Sequence, residues 1–221
     1  MTVPRALPRA ILFDWDNTLA DNWRCVVAAF NAALADAGLP TWTEAEVRIR
    51  ARKSLRDSFP GLFGDRWEHA RDIFYAAFAR DHIEHLRPMP GAAAALAACA
   101  AQNLYLAIVS NKSGEFLRQE VAALGWSGHF SRVIGAGDAA RDKPARDAVD
   151  LALESSGVTA GEQVWFVGDA DIDMHCAHAT GCVPVLIGIA DDSFRTAPPL
   201  HCFDSCAAFG DLVSRLAIPI S

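Results

Sequence analysis

From about residue 91 onward, short apolar runs alternate with helix-length segments, and this alternation constrains the fold more than any other feature of the chain. LYLAIVS (104–110), a run near 131–134, QVWFV (163–167), VPVLI (183–187) and a short run near 200–203 read as strands. Helical patterns at about 91–102, 114–124, 145–156, 171–180 and 206–216 separate or flank them. Strands joined through helices form a parallel sheet with helices on both faces, and such crossovers are almost always right-handed. An earlier apolar run, RAILF (9–13), is the first strand of that sheet, after a loose lead-in over residues 1–8.

Residues 20–87 break the alternation. Trp23, Val26, Val27, Phe30, Ala33 and Leu34 recur at three- and four-residue spacing and predict a helix from Asn22 to about Gly38. Thr43 with Glu46 makes a capping box for a second helix. A turn is expected at Pro60-Gly61 and a third helix from about Asp65 to Leu86, with Pro88-Met89-Pro90-Gly91 ending the segment. The expected fold class is therefore α/β: a Rossmann-like parallel sheet core, residues 1–20 and 88–221, with an all-helical domain inserted at 21–87.

The 221 residues suffice for such a core plus insert, and 52% are hydrophobic. A net charge of -7 argues against a broad nucleic-acid footprint but leaves room for a local cationic pocket. No apolar run is long enough to span a membrane, and residues 1–10 carry no apolar signal-peptide core. Six cysteines without a CxxC pair read as reduced thiols in a cytoplasmic protein. Only three lysines occur, Lys53, Lys112 and Lys143, which draws attention to each.

Ligands of open α/β sheets bind beyond the carboxyl ends of the strands. The first strand delivers Asp14 and Asp16 there, and the second Ser110, Asn111 and Lys112. The loop after the third holds Asp138, Asp142 and Lys143, and the fourth strand delivers Gly168, Asp169, Asp171 and Asp173. Carboxylates brought together repel unless a cation joins them, and all-oxygen donors favour a hard ion such as Mg²⁺. A hydroxyl, an amide and an ammonium suit phosphate oxygens. An Asp beside Mg²⁺ is suited to attack phosphorus, and a second Asp two residues on to protonate the leaving oxygen and then activate water.

FDWDNTL (13–19), VSN (109–111), KP (143–144) and VGDADID (167–173) resemble, in order and spacing, the four motifs of the haloacid dehalogenase superfamily. The helical insert resembles its cap domain, and the phosphoglycolate phosphatase-like group is the nearest in pattern. The resemblance implies Asp14 as nucleophile and metal ligand, and Asp16 as general acid/base with its carbonyl on Mg²⁺. It implies Thr18 as the residue orienting the first-motif loop, and Ser110 with Asn111 holding the phosphate. Lys143 would neutralise nucleophile and phosphate, and Asp169 and Asp173 would serve as fourth-motif metal ligands. Many members carry Gly where Asn17 stands, and Asn tolerates the left-handed backbone that a Gly there supplies.

Some residues have plainer readings. His82 and His85 read as solvated, and His175 and His178 as surface or packing residues. The aromatic residues of 23–78 read as the core of the insert. Arg48, Arg50, Arg52, Lys53 and Arg56 read mostly as a solvated face. ARKSLRD nevertheless resembles the cap segment that faces the site in phosphoglycolate phosphatases, and Arg52 or Lys53 is expected to meet an anionic group of the substrate. The functional expectation is a Mg²⁺-dependent phosphatase for a small phosphorylated metabolite. Phosphoglucomutase-like transfer, 2-haloacid dehalogenation and a non-catalytic binding module are the alternatives. Oligomeric state is not legible.

Overall fold

The structure is a computed structural model that describes residue 4, residues 6–50 and residues 53–216. It divides into two compact units, one reaching to Asp21 and resuming at Pro88, the other Asn22–Arg87.

In chain order, β1 (Ala10–Phe13) is followed by the two-residue β2 (Ala20–Asp21), then by α1 (Trp23–Asp36), α2 (Glu44–Arg50), α3 (Leu55–Phe63) and α4 (Trp67–His85). Strand β3 (Arg87–Pro88) pairs with β2. Then come α5 (Ala92–Ala101), β4 (Tyr105–Ser113), α6 (Gly114–Ala123), β5 (Arg132–Ala136) and α7 (Asp147–Leu153). The last elements are β6 (Val164–Gly168), α8 (Asp171–Thr180), β7 (Val183–Ile187), β8 (His201–Phe203) and α9 (Cys206–Arg215).

The larger unit is built on a six-stranded sheet in the order β5-β4-β1-β6-β7-β8, with parallel pairing throughout. Strand β1 is central because all four of its side chains are apolar and buried, as a strand covered on both faces requires. Ala10 and Leu12 pack on one face with Val149, Ala152, Phe166 and Ala177, which brings α7 and α8 against the sheet. Phe13 on the other face meets Phe209 of α9 edge-on, with ring centroids 5.9 Å apart. Burying residues the size of Ile11, Leu12 and Phe13 contributes roughly 1.5–3 kcal/mol each. The chain runs outward from β1 to β4 and β5 on one side and to β6, β7 and β8 on the other. The carboxyl end of β1 is thus the switch point where such sheets open a crevice.

The helical unit has an aromatic core. Phe30 of α1 packs edge-on to Phe74 of α4 and Phe59 of α3, and lies stacked on Trp42. The Thr43–Glu46 capping box forms, with each backbone N–H donating to the other side chain. Pro60-Gly61 does not turn: both residues lie inside α3, and the chain turns instead at Gly64, with φ 56°. Phe59 and Phe63, one helical turn apart, are both buried. Their packing offsets the missing Pro60 N–H, which deprives one carbonyl near the start of a short helix.

His82 is not solvated: it is buried and stacked on Phe78 at 4.8 Å. The lead-in is not wholly loose, since Leu7 is buried. Helix α7 is shorter than the 145–156 pattern, and β4 runs three residues past its expected end. Among the described residues, no helix is long and apolar enough to cross a membrane.

Candidate active site

Asp14 follows β1 directly, and its N–H donates to Val167 O of β6 at 2.8 Å, fixing where the chain leaves the sheet. The next residues close a tight loop in which Leu19 N and Ala20 N both donate to Trp15 O. Asn17 takes the left-handed conformation, φ 62°, the geometry that Asn tolerates better than most residues. Its side-chain amide donates to Asp169 at 3.2 Å, and the Thr18 hydroxyl donates to the other Asp169 oxygen at 3.3 Å. Thr18 therefore ties the loop after β1 to the loop after β6.

Lys143 lies at the centre of the cluster. Its Nζ donates to Asp14 at 2.6 Å and to Asp173 at 2.7 Å, and all three side chains are buried. Asn111 holds the Lys143 backbone from both sides, donating to its carbonyl at 3.1 Å and accepting from its N–H at 3.0 Å. Asp173 sits in the first turn of α8, where it accepts from Ala170 N at 3.1 Å, a favourable place for a carboxylate. A Cβ at Gly168 would lie 2.3 Å from the Asp173 carboxyl carbon, so only glycine leaves Asp173 its position. Ser110 is buried within the carboxyl half of β4, and its Oγ accepts from Lys112 N.

Asp14, Asp169 and Asp173 each offer an oxygen within 4.8 Å of the others. Their charges explain the shifts in proton affinity. Burial, followed by the Asp14 and Asp173 charges, raises Asp169 well above the usual carboxylate range. Burial pushes Asp173 up to about 6 against the pull of Lys143, with the Asp14 charge adding to the rise. Burial alone would lower Lys143, but Asp14 and Asp173 outweigh it and keep the ammonium charged. Three carboxylates against one ammonium leave a deficit of positive charge, and an all-oxygen donor set of this kind fits a hard divalent cation.

Asp16 stands to one side with a second lysine. Lys112 Nζ donates to Asp16 at 2.7 Å and to Glu120 at 2.6 Å. Burial pushes Asp16 up to about 6, with Lys112 pulling the other way and the Glu120 and Asp14 charges adding to the rise. The Lys112 side chain, which the sequence places at this edge, is almost wholly buried. Glu120 was missed altogether, although a signal existed. Leu117 and Val121 form the buried apolar stripe of α6, and Glu120 occupies that stripe. A charge on a helix's buried face is the informative exception.

Other carboxylates at this edge serve the backbone. Asp138 accepts from Gly135 N and pairs with Arg118, Asp142 accepts from Gly137 N, and Asp171 accepts from Ile172 N. His175 meets Thr196, and His178 meets the Pro198 carbonyl. In the helical unit, Arg48 pairs with Glu44 and lies over Trp23, while Arg50 lies over Trp42, in keeping with a solvated face. Lys53 is exposed, and Arg52 falls outside the described residues.

The chain is similar to known proteins over most of its length. It is 30% identical to a phosphoglycolate phosphatase of Rhodospirillum rubrum, covering 93% of this chain and 90% of that one. It is 27% identical to a phosphoglycolate phosphatase of Yersinia pestis, covering 96% and 94%. Among solved structures, a hydrolase from Pseudomonas syringae superposes with a TM-score of 0.82 at 20% identity, over 95% of this chain and 99% of that one. A predicted phosphoglycolate phosphatase from Haemophilus somnus gives 0.80 at 24% identity, over 90% and 95%. These two likenesses bear on the fold. A family model described as haloacid dehalogenase-like hydrolase matches residues 11–187, from β1 through β7, and so takes in every strand end described above. The chain belongs to the haloacid dehalogenase-like hydrolase family.

Proposed function

We propose that this hydrolase is a Mg²⁺-dependent phosphatase acting on a small phosphorylated metabolite, with 2-phosphoglycolate the first candidate. The observation that carries the reading is the buried bridge from Asp14 through Lys143 to Asp173, with Asp169 beside it. The names of the relatives give the substrate class.

Asp14 is the nucleophile. Its carboxylate oxygen forms a bond to phosphorus as the bond from phosphorus to the ester oxygen breaks, giving an aspartyl phosphate. Asp16 donates its proton to the departing oxygen. The resulting Asp16 carboxylate then takes a proton from water, whose oxygen attacks phosphorus and releases Asp14 and inorganic phosphate. A carboxyl titrating near 6 is suited to hold the proton in one step and lose it in the next. Lys143 holds Asp14 in place and offsets charge on the transferring group, and Ser110 and Asn111 are assigned to hold the phosphate. Thr18 orients Asp169 by the hydrogen bond described above. Mg²⁺ would be held by Asp14, Asp169, Asp173 and the Asp16 carbonyl, and would supply positive charge to the phosphoryl oxygens.

The helical unit is assigned the choice of substrate, with Arg52 or Lys53 meeting a second anionic group. Removing charge at both without any change in kinetics on every accepted ester would refute that assignment. The six free cysteines, five of them buried, support a reducing, cytoplasmic location.

Phosphate release from a panel of phosphomonoesters, including 2-phosphoglycolate and hexose phosphates, tests the main reading. Release with Mg²⁺ and none with EDTA is the expected result. Absence of release from every ester would overturn it.

A further inference from the structure

Lys112 and Glu120 have no part in the mechanism above, yet the fold invests two buried charges in them. Glu120, on α6, has no solvent exposure. One of its oxygens accepts from Lys112 Nζ at 2.6 Å and from Trp15 Nε1 at 2.7 Å. Lys112 reaches on to Asp16 at 2.7 Å. Trp15, itself fully buried, is the residue between Asp14 and Asp16. Its ring meets that of Trp126 at 5.9 Å in a T-shaped contact, so the indole is held by ring packing as well as at its nitrogen. One carboxylate of α6 thus grips the loop after β1 twice, once through Trp15 and once through the lysine bound to Asp16.

Burying an ion pair seldom gains stability over an apolar pair of the same volume, so stability is a poor reason for this arrangement. What it does achieve is direction. The Asp16 side chain is the partly exposed end of the chain of contacts, 27% accessible against 6% for Lys112 and 0% for Glu120. A partly exposed carboxyl would otherwise sample several rotamers. With one oxygen on Lys112, the other is left for proton exchange.

We infer that Lys112, held by Glu120, is a positioning residue that aims the Asp16 carboxyl at the ester oxygen. The inference rests on the proposed phosphatase reading. The proton donor matters most for a poor leaving group, and very little for a nitrophenolate, which departs without a proton. Positioning therefore has a signature that a purely structural role lacks.

The experiment measures kcat/KM, which reports events up to formation of the phosphoenzyme, for Lys112→Met and Glu120→Gln. Two esters are used, 2-phosphoglycolate and 4-nitrophenyl phosphate. The loss for Lys112→Met on 2-phosphoglycolate should exceed its loss on 4-nitrophenyl phosphate by a factor on the order of 10² or more. Glu120→Gln keeps an acceptor for Trp15 and tests the same point should Lys112→Met fold poorly; its losses should be skewed in the same direction. Equal losses on both esters would overturn the inference, since a phosphate contact or a damaged fold affects both alike. Unchanged kinetics in both variants would overturn it as well. If the unaltered protein releases phosphate from neither of these nor from any other ester of the panel, the phosphatase reading falls and the inference with it. If the unaltered protein is active and the ratio does not move, the inference alone falls.

Discussion

Gly168→Ala isolates the close approach on which the site depends. The added Cβ would lie 2.3 Å from both the Asp173 carboxyl carbon and one of its oxygens, and 2.5 Å from the Asp173 Cβ. Ordinary contacts between such atoms are about 3.5–4.0 Å, so the two elements must separate by roughly 1 Å or more. Asp173 has little freedom to yield, being fully buried in α8 and fastened to Lys143 and Ala170 N. Overpacking of this kind costs about 1–3 kcal/mol. For a protein of this size that lowers Tm by roughly 2–12 °C. A displacement of about 1 Å in a catalytic constellation costs on the order of 10²-fold in rate. Gly61→Ala is the control. Gly61 lies inside α3 with nothing within 4 Å of its added Cβ, so the same change should stabilise by about 0.5–1 kcal/mol. Thermal unfolding and kcat/KM on the best ester of the panel are measured for both variants. Wild-type stability and activity in Gly168→Ala would refute the argument that Asp173 owes its position to the missing side chain.

Asp14→Asn should reduce turnover by on the order of 10³-fold or more while circular dichroism stays native; substantial residual turnover would move the nucleophile elsewhere. Mg²⁺ should stabilise the protein by about 2.7 kcal/mol at a hundred times its Kd. In Asp169→Asn most of that gain should vanish, and an equal thermal shift in both proteins would remove Asp169 from the ligand set. Burial pushes the Cys99 and Cys176 thiols up to about 12 and Cys206 to about 11, so at pH 8 they stay protonated and unreactive. A disulfide exchange reagent should therefore find Cys202, the least buried, first, and all six only after unfolding. Fast reaction of several thiols in the native protein would contradict the packing around them.

The sheet was legible because apolar runs and helical periods alternate without ambiguity, and each motif falls in the carboxyl half of a strand or in the loop that follows one. Strand order was not, because periodicity carries no information about which strand neighbours which. Lys143 and its carboxylates were legible from motif spacing. Lys112 was singled out by the scarcity of lysine, but its burial was hidden, since the partner that buries it lies eight residues on in α6. The Pro60-Gly61 turn failed for a physical reason: local turn chemistry lost to the packing of Phe59 and Phe63. His82 failed likewise, as the contact with Phe78 depends on α4 being buried along that face.

The central position of β1 also sets a timetable. Its neighbours are β4, in register Ala10 with Tyr105, and β6, in register Ala10 with Val164. At ~5–20 residues per second of synthesis, AILF waits about 5–20 s for its first partner strand to be made, and longer for its second. The helical unit draws its aromatic core from residues inside Asn22–Arg87, so it is free to fold during that interval. Meanwhile the most apolar strand of the sheet stays unpaired on the nascent chain. Ribosome-bound intermediates shorter than about 105 residues should therefore be the stage at which this protein most needs a chaperone's cover.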